Sequence, residues 1–163
     1  MSAMTNRLVP GWIKKIKGQQ DSDAATAKFE AKQTALLSET IEADGPAFWA
    51  QLLKQIEITL GSLDIIGLCA QTTPIGGSEE GHQIIILGGS SLRGQVFTNL
   101  FYGGPGTRFI GCHPNDAPPY NLEFCLGVLG LMVLENGGSP MSAEEAAQHI
   151  IEPMVKRLMG QEF

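Results

Sequence analysis

The sequence predicts an α+β protein with two N-terminal helices, a mainly antiparallel sheet of about five strands, and one C-terminal helix that packs on the sheet. Three observations support this prediction. Apolar residues recur at helical spacing in two segments before Gly61. They do so again in one segment after Ser142. Residues 63–135 consist instead of short apolar runs separated by glycine-rich breaks, which is typical of strands and turns.

The two N-terminal helices are predicted on either side of Gly45. Ser22 or Asp23 can cap the first helix. Proline inside a helix removes a backbone donor but is tolerated at the first helical position, so the second helix should start at Pro46. Its apolar stripe repeats every four residues: Phe48, Leu52, Ile56 and Leu60. Gly61 is a natural stop signal.

Five apolar runs predict the strands: LDIIGLCA, HQIIILGG, LRGQVFTNLFY, TRFIGC and NLEFCLGVLGLMVLE. Their spacing suits hairpins and is too short for the crossover helices that parallel strands need. The last run, residues 121–135, leaves strand and helix both open. Its Leu and Met residues favour a helix, whereas Gly127 and Gly130 would each cost a helix about 1 kcal/mol, which puts the strand ahead.

The C-terminal helix has the clearest local signals. Ser142 followed three residues later by Glu145 forms a capping box. Lys156 and Arg157 complement the helix dipole near its end. Pro153 lies inside the helical pattern and is expected to bend the helix or to end its first half.

Charge and turn residues divide the chain into a flexible basic arm, residues 1–23, and a single α+β domain, residues 24–163. The net charge is −6, with 11 basic and 17 acidic residues. Residues 1–20 carry +4, and the remainder of the chain carries −10. An acidic body does not favour phosphate-backbone contacts, so we expect no nucleic-acid partner. Trp12 and Ile13 beside lysines favour a disordered or partner-docking tail over membrane contact.

The cysteines and the apolar stretches indicate an intracellular protein. Cys69, Cys112 and Cys125 form an odd set with no CxxC pair, as expected for reduced thiols in a cytoplasm. No apolar run is long enough to span a bilayer, and the N-terminus lacks the apolar core of a signal peptide. We therefore predict a cytoplasmic protein with no stable membrane insertion.

No residue is assigned a catalytic, cofactor-binding or metal-binding role. Cys112, His113 and Asp116 lie close in sequence, but adjacent residues of an extended chain point to opposite faces. Cys112 is therefore interpreted as a small buried side chain. A metal site from His82, Cys112, His113 and Cys125 lacks the short spacings of structural zinc sites. His149 is interpreted as a partly exposed histidine.

Other motifs are equally unspecific. The glycines around 88–91 and 103–107 lack the lysine and the following helix of a phosphate-binding loop, and they are interpreted as hairpin connections. Glu79 and Glu80 are interpreted as part of a solvated turn, because adjacent carboxylates offer no opposed acid and base. The nucleophile-elbow pattern GxSxG is absent from the sequence.

The central strands suggest where function lies. Residues 84–87 and 96–101 are apolar on both faces, and the helices can cover one face only. The leading hypothesis is a nonenzymatic interaction module, adaptor or chaperone-like, that forms a homodimer and has a possible protein partner. Two alternatives are a carrier of a small apolar ligand and, with less support, a cysteine-dependent enzyme using Cys112.

Overall fold

The computed structural model describes residues 9–75, 78–88, 94–128 and 130–160, with the backbone alone for 78–80. The chain divides into two compact units, Met1–Leu37 and Ser38–Phe163. Its elements are helix α1 (Gly11–Gly61), a 3-10 helix (Leu63–Ile66), strands β1 (Cys69–Ile75), β2 (Ser78–Leu87), β3 (Gln95–Tyr102), β4 (Phe109–Pro114), β5 (Tyr120–Gly127) and β6 (Gly130–Leu134), and helix α2 (Ala143–Leu158). This order confirms the predicted α+β class.

The first unit, taken by itself, is helical from Gly11 onwards. The carbonyl of Pro10 accepts the first helical hydrogen bonds. Lys17 pairs with Asp21 at 3.3 Å, four residues along the helix. Such pairs add a few tenths of a kcal/mol, which helps to offset Gly18. The helix therefore starts before the predicted cap at residues 22–23, while the boundary between a flexible arm and a domain stays a prediction. Residues 1–8 lie outside the described part.

The predicted break at Gly45 and Pro46 is also corrected, because α1 continues through both residues. Pro46 removes one backbone hydrogen bond from the helix. Burial of the flanking turns offsets that loss. Ile41 and Leu52 on either side are at most 1% exposed, and burying each such side chain stabilises the fold by about 2 kcal/mol.

The sheet has six strands in the order β1-β2-β3-β4-β5-β6, and each strand pairs antiparallel with the next. The run 121–135 forms two strands, β5 and β6, which confirms strand over helix and explains the sixth strand. The first predicted run is corrected: its residues 63–66 form the 3-10 helix, which ends at Gly67 with φ 78°. Strand β1 begins only at Cys69.

Helix α2 confirms the capping box. The Ser142 hydroxyl accepts a hydrogen bond from the Glu145 amide at 3.2 Å, and the Glu145 carboxylate accepts one from the Ser142 amide at 3.1 Å. Helix α2 continues through Pro153 to Leu158, so the proline does not end it. Among the described residues, neither helix combines the length and the apolar character that crossing a bilayer requires.

Candidate interaction surface

The two faces of the sheet differ in exposure. Side chains alternate between faces along a strand, and residues paired across neighbouring strands share a face. One face, here the inner face, carries the buried side chains of β2 to β6: Ile84, Ile86, Val96, Thr98, Leu100, Tyr102, Ile110, Cys112, Leu122, Phe124 and Val133. The intervening residues of the same strands form the opposite side, here the outer face.

The helical segments of the unit Ser38–Phe163 pack on the inner face. Phe48 of α1 contacts Phe124 edge to face, with ring centroids 5.5 Å apart. Trp49 stacks on Tyr102 at 5.4 Å. Helix α2 contacts β2, β3 and β6 and buries Met154 completely. In the described part of this unit, both helices therefore lie on one side of the sheet.

The outer face exposes large apolar side chains. Leu87, Phe101 and Phe109 are 41%, 44% and 44% exposed. Phe101 pairs with Gly111, which is two residues from Phe109 on the same face, so the two phenyl rings are diagonal neighbours. Further apolar residues of this face are half-buried: Ile85, Phe97, Cys125, Met132 and Leu134. The apolar surface thus extends from β2 to β6.

A polar row crosses the middle of the outer face. Gln83, Asn99 and His113 lie side by side on β2, β3 and β4. The Gln83 amide donates to the Asn99 side-chain oxygen at 3.0 Å. The His113 ring contacts Phe101 edge to face at 5.3 Å. Amide side chains both donate and accept hydrogen bonds, so this row can also pair with a like surface.

The outer face carries little charge. Among the strand residues of this face whose side chains are described, Glu123 is the only acidic or basic one besides His113. Residues 21–163 taken together are strongly acidic, with a net charge of −10. A partly apolar sheet face with few charged side chains is typical of a contact surface.

Cys112 and His113 do not form a reactive pair. Cys112 is buried on the inner face, and His113 is exposed on the outer face, as the alternation of a strand predicts. Burial raises the pKa of the Cys112 thiol to about 12. A thiol with that pKa is protonated at neutral pH and is a poor nucleophile. The interpretation of Cys112 as a small buried side chain is confirmed.

The four residues considered for a metal site come from three strands, and they do not all lie on one face of the sheet. His82 is on β2, Cys112 and His113 point to opposite sides of β4, and Cys125 is on β5. Within the described ranges, no three His, Cys, Asp or Glu side chains come together as metal ligands. The fold therefore does not assemble this set.

The glycine-rich segment 103–107 connects β3 to β4, which confirms its interpretation as a hairpin connection. Gly104 and Gly106 adopt positive φ angles of 92° and 85°, which favour glycine. Residues 89–91 of the other glycine-rich segment lie outside the described part of the chain. The backbone of Glu79 and Glu80 belongs to strand β2, so their interpretation as part of a turn is corrected; their side chains lie outside the described part.

A cavity of about 250 Å³ lies between α2 and the β4–β5 connection. The Nε2 atom of His149 lies 3.6 Å from Glu135 Oε2. The Nε group of Arg157 donates to Asp116 Oδ1 at 2.8 Å. Burial raises the pKa of Tyr120, so its hydroxyl stays protonated. These pairs join the C-terminal helix to the sheet, and no sequence spacing indicated them because each partner comes from a distant segment.

Comparison of the chain with protein-family models, with curated proteins and with solved structures finds no match.

Proposed function

We propose that this protein is a cytoplasmic, nonenzymatic interaction module that forms a homodimer through the outer face of its sheet. The proposal depends on one observation: exposed Leu87, Phe101 and Phe109 share a face on which few side chains are charged. Exposed apolar side chains on a sheet face with little charge are typical of a contact site. The helices of the same unit do not supply that contact, because they pack on the other side of the sheet.

The size of the outer face suits a dimer. Six strands at about 4.8 Å spacing, each about six residues long, span roughly 29 Å by 20 Å. Two such faces bury on the order of 1,200 Å² together, which is the lower end of a stable, specific interface.

The charge distribution favours a second copy as the occupant. The acidic body, at −10, repels nucleic acid and anionic lipid. Two outer faces can meet with little like-charge repulsion, because Glu123 is the only described carboxylate on each. In a two-fold dimer the same patch contacts itself, and the row of Gln83 and Asn99 amides is chemically self-complementary.

Light scattering on the purified chain at micromolar concentration tests the proposal. We expect the mass of a dimer, twice 17.5 kDa. The double variant Phe101→Glu and Phe109→Glu adds four carboxylates to the dimer interface and should give the monomer mass. The matched control is Ile65→Glu, a change at an apolar residue that is 83% exposed outside the sheet. A wild-type monomer, or a dimer that the double variant retains, would refute the proposal.

A further inference from the structure

A cleft in the unit Ser38–Phe163 has a volume of about 870 Å³. It lies between α1, the end of the β5–β6 hairpin and the start of α2. Phe48, Leu131 and Ala143 supply apolar lining from these three elements. Its volume falls within the range of small-molecule sites, about 300 to 1,000 Å³.

The hairpin explains why this cleft is apolar and open. Leu126 and Leu131 pair across β5 and β6 on the same side of the sheet as the buried Phe124 and Val133. The buried pair is covered by the helices, whereas Leu126 remains 37% exposed. Strands β5 and β6 therefore extend past the part of the inner face that the helices cover. Their uncovered end forms one wall of the cleft.

The polar groups of the cleft define the ligand's charge. Glu144 and Glu145 line it together with the amides of Gln51 and Gln55, and none of its described lining residues is basic. The N-terminus of α2 also borders the cleft, and its helix dipole contributes the equivalent of roughly half a positive charge. Two carboxylates exceed that half charge, so the cleft is net negative. Ser142 and Glu145 accept hydrogen bonds from each other's backbone amides, which reduces the positive charge that this helix end offers to a ligand.

We infer that this cleft binds a small amphiphile with an apolar chain or ring and a protonated amine. The apolar part would lie against Phe48 and Leu131, and the ammonium group would lie near Glu144. A fatty acid is disfavoured, because its carboxylate would meet two carboxylates and no described cation. The inference does not depend on the homodimer, because most residues that line the cleft lie outside the outer face; Gly127 and Met132 belong to both surfaces.

Matched ten-carbon probes test the site: decylammonium, decanol and decanoate, each titrated calorimetrically into the full chain at neutral pH below its micelle concentration. We expect decylammonium to bind about tenfold more tightly than decanoate, with decanol between them. Glu144→Gln should remove most of that preference and leave decanol binding unchanged. The control Asp64→Asn, an exposed carboxylate outside the cleft, should change none of the three affinities.

A second variant tests the location. Gln51 is exposed on the cleft side of α1, so Gln51→Trp should fill the mouth without disturbing the core and weaken all three probes at least severalfold. Equal binding of decylammonium and decanoate, no binding of any probe, or full binding to Gln51→Trp would overturn the inference. Each of these results can occur whether or not the protein is a dimer.

Discussion

A Cβ atom added to Gly45 would lie 2.9 Å from the hydroxyl oxygen of Tyr102, so only a glycine at this position of α1 leaves room for the end of the tyrosine side chain. Tyr102 is only 4% exposed and stacks on Trp49. The ring therefore has little freedom to move away. The glycine before Pro46, which by local rules indicates a helix break, instead permits close approach of α1 to the sheet.

Gly45→Ala is expected to destabilise the protein by about 1 kcal/mol. Helix propensity alone would stabilise it by up to about 1 kcal/mol. Forcing a methyl group against the buried Tyr102 hydroxyl costs about 1 to 3 kcal/mol, which exceeds the gain. Urea unfolding measures the difference.

Tyr102→Phe provides the matched background, because it removes the oxygen that the new methyl group would meet. In that background, Gly45→Ala should be neutral or stabilising. Gly61→Ala, at a helical glycine with nothing within 4 Å of the added Cβ, should not destabilise. An equal loss from Gly45→Ala in both backgrounds would show that the Tyr102 contact is not the cause.

The stability of the protein should decrease in mild acid because of His82. Burial lowers the pKa of His82 below its usual 6.5, and the carboxylate of Glu57 opposes this shift only in part. Within the described residues, its buried Nδ1 atom has no hydrogen-bond partner. Below about pH 6.5 the unfolded chain takes up a proton that the folded chain resists, so the free energy of unfolding falls until the folded-state pKa is reached.

Chemical unfolding of the wild type and of His82→Gln at pH 7.5 and pH 5.5 isolates this effect. Other titrating groups are common to both proteins, so the difference between the two pH dependences reports on His82. The wild type should lose more stability than His82→Gln on acidification. Identical losses would mean that His82 protonates equally well in the folded protein.

Asp116→Asn should destabilise the protein by about 1 kcal/mol. The Arg157–Asp116 pair joins α2 to the β4–β5 connection at 2.8 Å, with side chains 25% and 35% exposed. Partial burial makes this ion pair more stabilising than a fully exposed pair, but solvent screening keeps its contribution near the top of the range for surface pairs. Glu152→Gln, which breaks an exposed pair within α2, should have a smaller effect. Thermal unfolding at low and high salt compares the two, and an equal effect of both changes would contradict this ranking.

Local sequence rules predicted the elements that are determined by residues close together in the chain. The capping box at Ser142 and Glu145 fixes the start of α2 through contacts three residues apart. Consecutive apolar residues in 84–87 and in much of 96–101 predicted strands that are apolar on both sides, and Ile84 and Leu87 do lie on opposite faces.

Other features depend on distant contacts and were therefore not predictable. The reason for a glycine at position 45 is the close approach of Tyr102, which lies in a strand far along the chain. The choice of inner face depends on where Phe48 and Trp49 pack, because both faces of β2 and β3 are apolar. The polar row of Gln83 and Asn99 could have been noticed as amides between apolar neighbours, but only the strand register places them together.

The labelling rate of a thiol in the centre of the outer face tests the proposed interface most directly. Asn99→Cys places a thiol on β3 in the middle of the polar row, and Ile65→Cys places one at an exposed site outside the sheet. Peptide mass spectrometry separates these thiols from the three native cysteines. With rising protein concentration, the rate at position 99 should fall while the rate at position 65 stays constant. A rate at position 99 that is independent of concentration, up to the highest concentration at which the protein stays in solution, would contradict a dimer formed through this face.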